Sequence, residues 1–597
     1  EDGIRDVAVT GLQTCALPIS ETAFLIGMRR VVRGRKQEAE MALGLGWKKS
    51  WLAGLALLAG QVAAQTVSGA PLTIQIIYRD AQQLEVSYAP QQACQRLRLS
   101  KENRDGEGLR DGWQALNDCA RLEGDQIVWK QAANAANCVA RFAVPVTKKV
   151  YHHYQPALPL GQAVLLHTSN YAVDHACGDT RYVLNAPAVA TGGQAVPAQL
   201  VLDTGVKERD SQPALLLPDA AVRFEGTPFY ADPDVPQTTV ALIRDVADHT
   251  VQYLREQLPS VPFRMPMIAA ASIRDGGPTY FNGNAQEILQ LAFFNWPLTM
   301  DDGGQRTISQ FVAHEFSHRF QIYPAGSASY AEERLIHEGG AEFLRWMTSI
   351  KTGWLSPQQA AADVDNALAK CLISAGQRSL RSLSRAEVDN GRIGYVCGLP
   401  AYVYAIAGST EITPALQRLD NYYRQLQQSG SADFATMLEC DGKADCQPRW
   451  LPQLLRSEQT ISAVWQHWLS SSALAVSSKP TPDQQQEMLI SAIEQLMRED
   501  CSGMRDVYPQ KDKIVLSGLP QCQRLRAEVS VTQIEGLPYS GDQRTLPAMV
   551  NACRERQEVR LGLEQGQTLT LACRKPVEAI PQFHQAKIAE IIRQLQP

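Results

Sequence analysis

The 597-residue chain lacks most of the features that assign a function quickly. Its formal net charge is −5, and no basic stripe interleaved with aromatics occurs, which excludes nucleic acid as an expected partner. The apolar run Trp51 to Gly60 is too short to cross a membrane, and no other stretch reaches the roughly 18 residues a spanning helix needs. No two cysteines stand in a CxxC pair, so a zinc ribbon is excluded. Internal repeats and long low-complexity segments are missing, and with them solenoid architectures. Histidine is scarce at ten residues, so a patterned pair of histidines carries information.

What is present falls into unlike parts. Residues 1–40 are set aside as an artefact or upstream sequence: Glu1 to Ser20 resembles a translated sequencing-adapter peptide, and Glu21 to Glu40 carries the basic run MRRVVRGRKQ. Met41 is read as the start. Lys48 and Lys49 precede the apolar run, and Val62, Ala63 and Ala64 are small residues of the kind read by a signal peptidase, so 41–64 reads as a cleavable signal peptide. Gln65 follows the cut, which gives no lipoprotein anchor. Leaving Cys15 aside, the thirteen cysteines become twelve, an even number that suits disulfides in an exported, periplasmic or secreted protein. Cys440 and Cys446 are close enough to pair; the other connectivities do not follow from sequence.

The mature chain is too long for one core. Residues 65–236 alternate apolar and polar positions in short runs such as LTIQIIYRD, LEVSYAP and AVLLHTS, predicting a β-sandwich-like domain. His152 and His153 lie next to each other on one such run and therefore face opposite ways, so they, His167 and His175 are read as packing or surface residues. FEGTPFYADPDVPQ reads as a linker. Ile243, Ala247, Leu254 and Leu258 mark a helix, with His249 on it as a solvated or packed residue, followed by strands in FRMPMIAAASI and EILQLAFFNW around the turn-rich RDGGPTYFNGNA. Residues 237–354 form a catalytic domain, 355–499 a helical domain, and 500–597 a small α+β domain, giving a multidomain α+β fold.

The chemistry concentrates between His314 and Glu342. His314, Glu315 and His318 form H-E-x-x-H, a pattern whose chance occurrence with so few histidines is roughly one in a hundred. A helix expected over Thr307 to Ile322 puts both histidines on one face, able to hold one metal ion, with Glu315 beside a water on that metal. Nineteen residues separate His318 from Glu338, which lies on a second expected helix, Glu332 to Ile350, and Glu342 follows one turn later. Two imidazoles and a carboxylate suit Zn²⁺ with one open position. His337 competes with Glu338 as third ligand; neighbours on a helix diverge by about 100°, so one of them faces the metal, and Glu338 is favoured because Glu342 follows it by one turn. The metzincin pattern is excluded, since Gln321 and Pro324 stand where it needs glycine and histidine.

HEFSH followed by HEGGAEF resembles the gluzincin, thermolysin-like zinc metallopeptidases. The elements Glu338, Gly339 and Ala341 are similar to the alanyl and glycyl aminopeptidase families in particular. The resemblance implies a thermolysin-like catalytic domain between a β-domain and helices, metal ligands His314, His318 and Glu338, general base Glu315 and outer carboxylate Glu342. It also implies a tyrosine that stabilises the oxyanion, set in Y-x-x-G before a helix; Tyr395 fits, with Tyr402 and Tyr404 as alternatives. The C-terminal strands resemble a PDZ-like module. The family's G-x-M-E-N amine anchor has only GNAQE, Gly283 to Glu287, as counterpart, so aminopeptidase and endopeptidase stay open. The expectation is an exported zinc metallopeptidase acting on a peptide or protein. Its rivals are an impaired relative that binds peptides or envelope proteins, and a zinc hydrolase for a non-peptide amide or epoxide.

Overall fold

The computed structural model describes residues 72–596 except for short stretches, of which 90–95, 100–109, 131–137, 150–154, 174–179, 206–211, 221–226 and 502–506 are the longest. The expectations for residues 1–64, and for His152, His153, His175, Cys94 and Cys177, lie outside the described residues.

The N-terminal region is sheet-rich, as its alternation predicts. Nine strands, from Leu72–Tyr78 to Pro213–Leu217, form one sheet that is antiparallel except where Leu72–Tyr78 runs parallel to Thr180–Thr191. Leu72, Ile74 and Ile76 point to one face, where a three-stranded sheet supplies Leu97, Ile127 and Trp129 to close a core. The opposite face of the sheet's far half, with Leu158, Leu165, Ala188 and Leu215, packs onto the next module. His167 is buried there, its Nδ1 accepting from the Gln155 backbone N–H at 3.0 Å, and burial lowers its pKa to about 4. It is a neutral packing residue.

That next module has four strands, β1 Phe229–Ala231, β2 Met267–Ile273, β3 Tyr280–Ala285 and β4 Ile288–Phe294, in the order β1-β2-β4-β3. Along β2, Met267, Ala269 and Ala271 face the N-terminal sheet while Ile268 and Ala270 face the helices, so the run is apolar because both faces are covered. Two expectations are corrected. The supposed linker FEGTPFYADPDVPQ contains β1, since three residues between Pro228 and Pro233 suffice to pair in parallel with β2. The supposed turn RDGGPTYFNGNA contains β3, which pairs antiparallel with β4 from Tyr280 to Ala285 and forms the sheet edge.

Helices accompany this sheet, those nearest it packing on it and the rest packing behind them. They are α1 Gln237–Gln257, α2 Asp302–Ser317, α3 Tyr330–Lys351, α4 Pro357–Ala375, α5 Arg385–Asn390 and α6 Ile393–Ala407. Sequence expects α2 over Thr307–Ile322. It begins earlier because Asp301 caps it, accepting from Gly304 N–H at 2.7 Å, and it ends earlier because His318–Phe320 tightens into a 3₁₀ turn. Ser329 caps α3, and Ser356 with Gln359 forms a capping box on α4. Exposed His249 sits on α1 with Nδ1 2.8 Å from the Asp245 carbonyl.

Further helices run to Pro482–Cys501, an antiparallel sheet with one helix, Thr545–Arg556, across it follows, and the chain closes with the strand Phe583–Ala586, paired to Ala475–Ser478, and the helix Ile588–Leu595. Five disulfides tie the described residues: Cys119–Cys138, Cys371–Cys397, Cys440–Cys446, Cys501–Cys522 and Cys553–Cys573. They suit an oxidising compartment. No helix among the described residues is long and apolar enough to cross a membrane.

Candidate metal centre

Three helices build the site. His314 lies on the last turn of α2 and His318 one turn beyond. Glu338 comes from the middle of α3, which packs across α2. The third helix, α6, lies against α3 with almost no gap: a Cβ placed on Gly339 would sit 2.5 Å from the Gly398 Cα, and one on Gly394 would sit 2.6 Å from the Arg334 carbonyl. Only glycine permits this approach. It carries Tyr395 to His314, where the two rings stack with centroids 5.5 Å apart.

The donor atoms converge. His314 Nε2 and His318 Nε2 are 3.1 Å apart, and each is 3.3 Å from Glu338 Oε2. Donors bound at 2.0–2.1 Å to one tetrahedral ion lie about 3.3 Å from each other, so the spacing fits a metal. The partners of the outer atoms also fit. His318 Nδ1 is 2.9 Å from Gln321 Oε1 and His314 Nδ1 is 2.8 Å from Glu342 Oε1. Gln321 favours a proton on His318 Nδ1 and the Glu342 carboxylate lies against His314 Nδ1, so both Nε2 atoms face inward, where a proton between them or a shared cation fits. Glu338 Oε2 is buried and accepts no hydrogen bond, whereas Oε1 is held by Arg334 Nη2 at 2.8 Å and by His337 Nδ1 at 3.1 Å. One carboxylate oxygen is thus tied back and the other is presented.

The electrostatics follow from this crowding. Burial alone would lower the pKa of His314, yet Glu338 and Glu342 hold it up to about 10, a proton standing where a cation fits. Burial would raise Glu338, but His318, His314 and His337 hold it well below the usual carboxylate range. Glu342 is likewise held low, against burial, by Arg345 and His314; Arg345 Nη2 lies 2.7 Å from it. Burial pushes Glu315 up, opposed by His314 and His318. Burial and His318 push His337 down to about 4, leaving a neutral ring stacked on His318 with centroids 4.4 Å apart. Burial, with the Glu338 carboxylate, raises the Tyr395 phenol well above 10.

The structure therefore brings together His314, His318 and Glu338, with Glu342 behind His314 and Tyr395 against it. His337 is adjacent but turned to the Glu338 oxygen that faces away from the histidines. Tyr402 and Tyr404 stand apart: Tyr402 donates to the Ile336 carbonyl at 2.9 Å, and Tyr404 is buried between Trp465 and Trp468. Sequence reasoning missed Gln321, Arg334 and Arg345. Helical spacing was the available signal, since they lie three residues after His318, four before Glu338 and three after Glu342. It also missed Tyr323, whose ring meets His337 at 4.5 Å and whose hydroxyl donates to Gln321 at 3.0 Å. A second cluster, Asp500, Cys501 and Cys522, is no metal site: the two cysteines are joined as a disulfide, and Asp500 accepts from the Arg524 and Leu525 backbone N–H groups.

The fold is similar to that of a solved structure described as an aminopeptidase N family protein from Idiomarina loihiensis, with a TM-score of 0.53 and 14% identity. The similarity covers 88% of this chain and 100% of the other. At that identity the likeness is one of fold. No family model and no curated protein sequence matches the chain.

Proposed function

We propose that this protein is an exported zinc metallopeptidase of the gluzincin type that hydrolyses bonds in peptides or proteins. The observation that carries the reading is the meeting of His314 Nε2, His318 Nε2 and Glu338 Oε2 at 3.1–3.3 Å, each braced from behind. Two imidazoles and one carboxylate are a zinc donor set with room for one more ligand. When bound, the ion supplies Lewis acidity, acidifying water and polarising a carbonyl.

The chain's own residues do the rest. Glu342 and Gln321 keep the imidazoles oriented, while Arg334 and His337 hold Glu338 Oε1 so that Oε2 points inward. Glu315, with its carboxyl pushed up by burial, takes a proton from the attacking water and returns it to the leaving amine. Tyr395 keeps its proton and donates it in a hydrogen bond to the carbonyl oxygen as negative charge grows there. The edge strand β3 lies beside α2, with Phe281 edge-on to Phe311 at 5.2 Å, and an extended peptide can pair along such an edge.

The similar solved structure is described as an aminopeptidase N family protein, in agreement with peptide hydrolysis. The only sequence candidate for an amine anchor, Glu287, lies outside the described residues, so the proposal stops at peptidase. A signal peptide ending at Ala64 and a PDZ-like C-terminal module belong to the same proposal, and the five disulfides support export. Glu315→Gln tests it: zinc stays bound while hydrolysis of a peptide library falls by roughly a thousandfold or more. A wild-type protein that binds zinc and peptides without cutting them would instead be the impaired relative. Cleavage confined to non-peptide amides or epoxides would make it another zinc hydrolase.

A further inference from the structure

Beside the donor set, on the side of His314 and Tyr395, a cavity of about 230 Å³ opens between α2, α4 and α6. Its charges do not balance. Glu342 and Asp363 line it, but Arg345 takes both, reaching Glu342 at 2.7 Å and Asp363 at 3.2 Å. Lys370 is half-exposed and lies 3.5 Å from Glu487. Arg392 remains. Among the described residues no carboxylate pairs with it, and its Nε is buried without a hydrogen-bond partner. Its guanidinium lies 4.6 Å over the ring of Tyr395, so the cation is held against that residue at the wall of the cavity. Arg392 adopts φ +49°, ψ +38°, a left-handed conformation uncommon for a residue with a Cβ, immediately before the helix that carries Tyr395.

We propose that Arg392 recognises a carboxylate of the substrate, so that the protein favours peptides with an acidic group close to the bond that is cut. This deepens the metallopeptidase reading and rests on it. A planar guanidinium offers a carboxylate two parallel N–H donors; Nε is enclosed, and the two Nη groups, for which the described residues supply no acceptor, are the pair that a carboxylate in the cavity can meet. The cavity has room for one acidic side chain or one terminal residue, with the Asn366 amide on the same wall. The carboxylate comes from an Asp or Glu side chain or from a peptide C-terminus, and the guanidinium binds both by the same geometry.

The test is a library cut by the zinc-loaded full-length protein, with Glu exchanged for Gln at each position and the C-terminus free or amidated. At the responsive position the free carboxylate should raise kcat/KM by about 10- to 100-fold over its neutral isostere. That ratio should collapse toward one in Arg392→Gln and survive in part in Arg392→Lys. A ratio that responds to Glu exchange identifies a side chain, and one that responds to amidation identifies the C-terminus. No carboxylate preference in the wild type, or a preference unchanged in Arg392→Gln, overturns the inference. If the wild type cuts nothing, the peptidase reading fails. Binding of the same peptides to the zinc-loaded Glu315→Gln variant then decides for Arg392 alone, by a preference that Arg392→Gln removes or by equal binding of both forms.

Discussion

Replacing Gly398 by alanine sets two effects of opposite sign against each other. In a helix interior, alanine is favoured over glycine by up to about 1 kcal/mol, so propensity alone predicts a more stable protein. The packing of α6 on α3 predicts the reverse. A Cβ on Gly398 would lie 3.0 Å from the Gly339 N and 3.2 Å from the Leu335 carbonyl oxygen, and closer still to the Gly339 Cα. Saturated carbons sit about 3.5–4.0 Å apart, so the helices must separate by about 1 Å. Overpacking of this kind costs about 1–3 kcal/mol, and the obstacle is backbone, which has no rotamer to escape into. Net destabilisation of up to about 2 kcal/mol is expected after the propensity gain is subtracted. The functional effect should exceed the thermodynamic one. Tyr395 rides on α6 while the three donors do not, and a 1 Å misplacement costs about a hundredfold in rate. Gly398→Ala should therefore bind zinc as the wild type does, unfold at a lower denaturant concentration, and lose about two orders of magnitude in kcat. A variant that is more stable than wild type and equally active refutes the reasoning.

Removing the Cys371–Cys397 disulfide by a double alanine substitution opens a loop spanning 26 residues and should lower stability by about 2–4 kcal/mol, read by denaturant unfolding. Because Cys397 is two residues from Tyr395, kcat should fall more than zinc content; unchanged stability and rate would count against the tether. In the metal-free protein His314 stays protonated up to about 10, whereas the ligand form has a free Nε2, so zinc must displace a proton. Calorimetry in buffers of different ionisation enthalpy near pH 7.5 should show proton release, with apparent affinity rising about tenfold per pH unit and failing as pH falls. Affinity independent of pH across that range would contradict the pairing of His314 with Glu338.

Where the signal was local, the sequence was readable. His314 and His318 are one helical turn apart, so their shared face followed from spacing alone, and the apolar stripes of α1 and α4 gave those helices. The meeting of α3 with α2 is not local, and Glu338 was preferred to His337 only on the one-turn spacing to Glu342, a choice that the family resemblance also implies. The strands β1 and β3 escaped notice for a physical reason. Prolines bracket β1, and β3 carries Gly283, which weakens any strand pattern, yet Phe311 packs on Gly283 where a Cβ would collide. Pairing with β2 and β4 overrides the local preference. The Gly339–Gly398 contact was likewise invisible, because each glycine looks permissive alone and becomes obligatory only when the two helices meet.

Metal analysis of the purified mature protein and two variants tests the central claim most directly. The account predicts one zinc ion per chain in the wild type, retained in His337→Ala and lost in Glu338→Ala. A wild type without stoichiometric zinc, or zinc lost from His337→Ala and kept by Glu338→Ala, would contradict it.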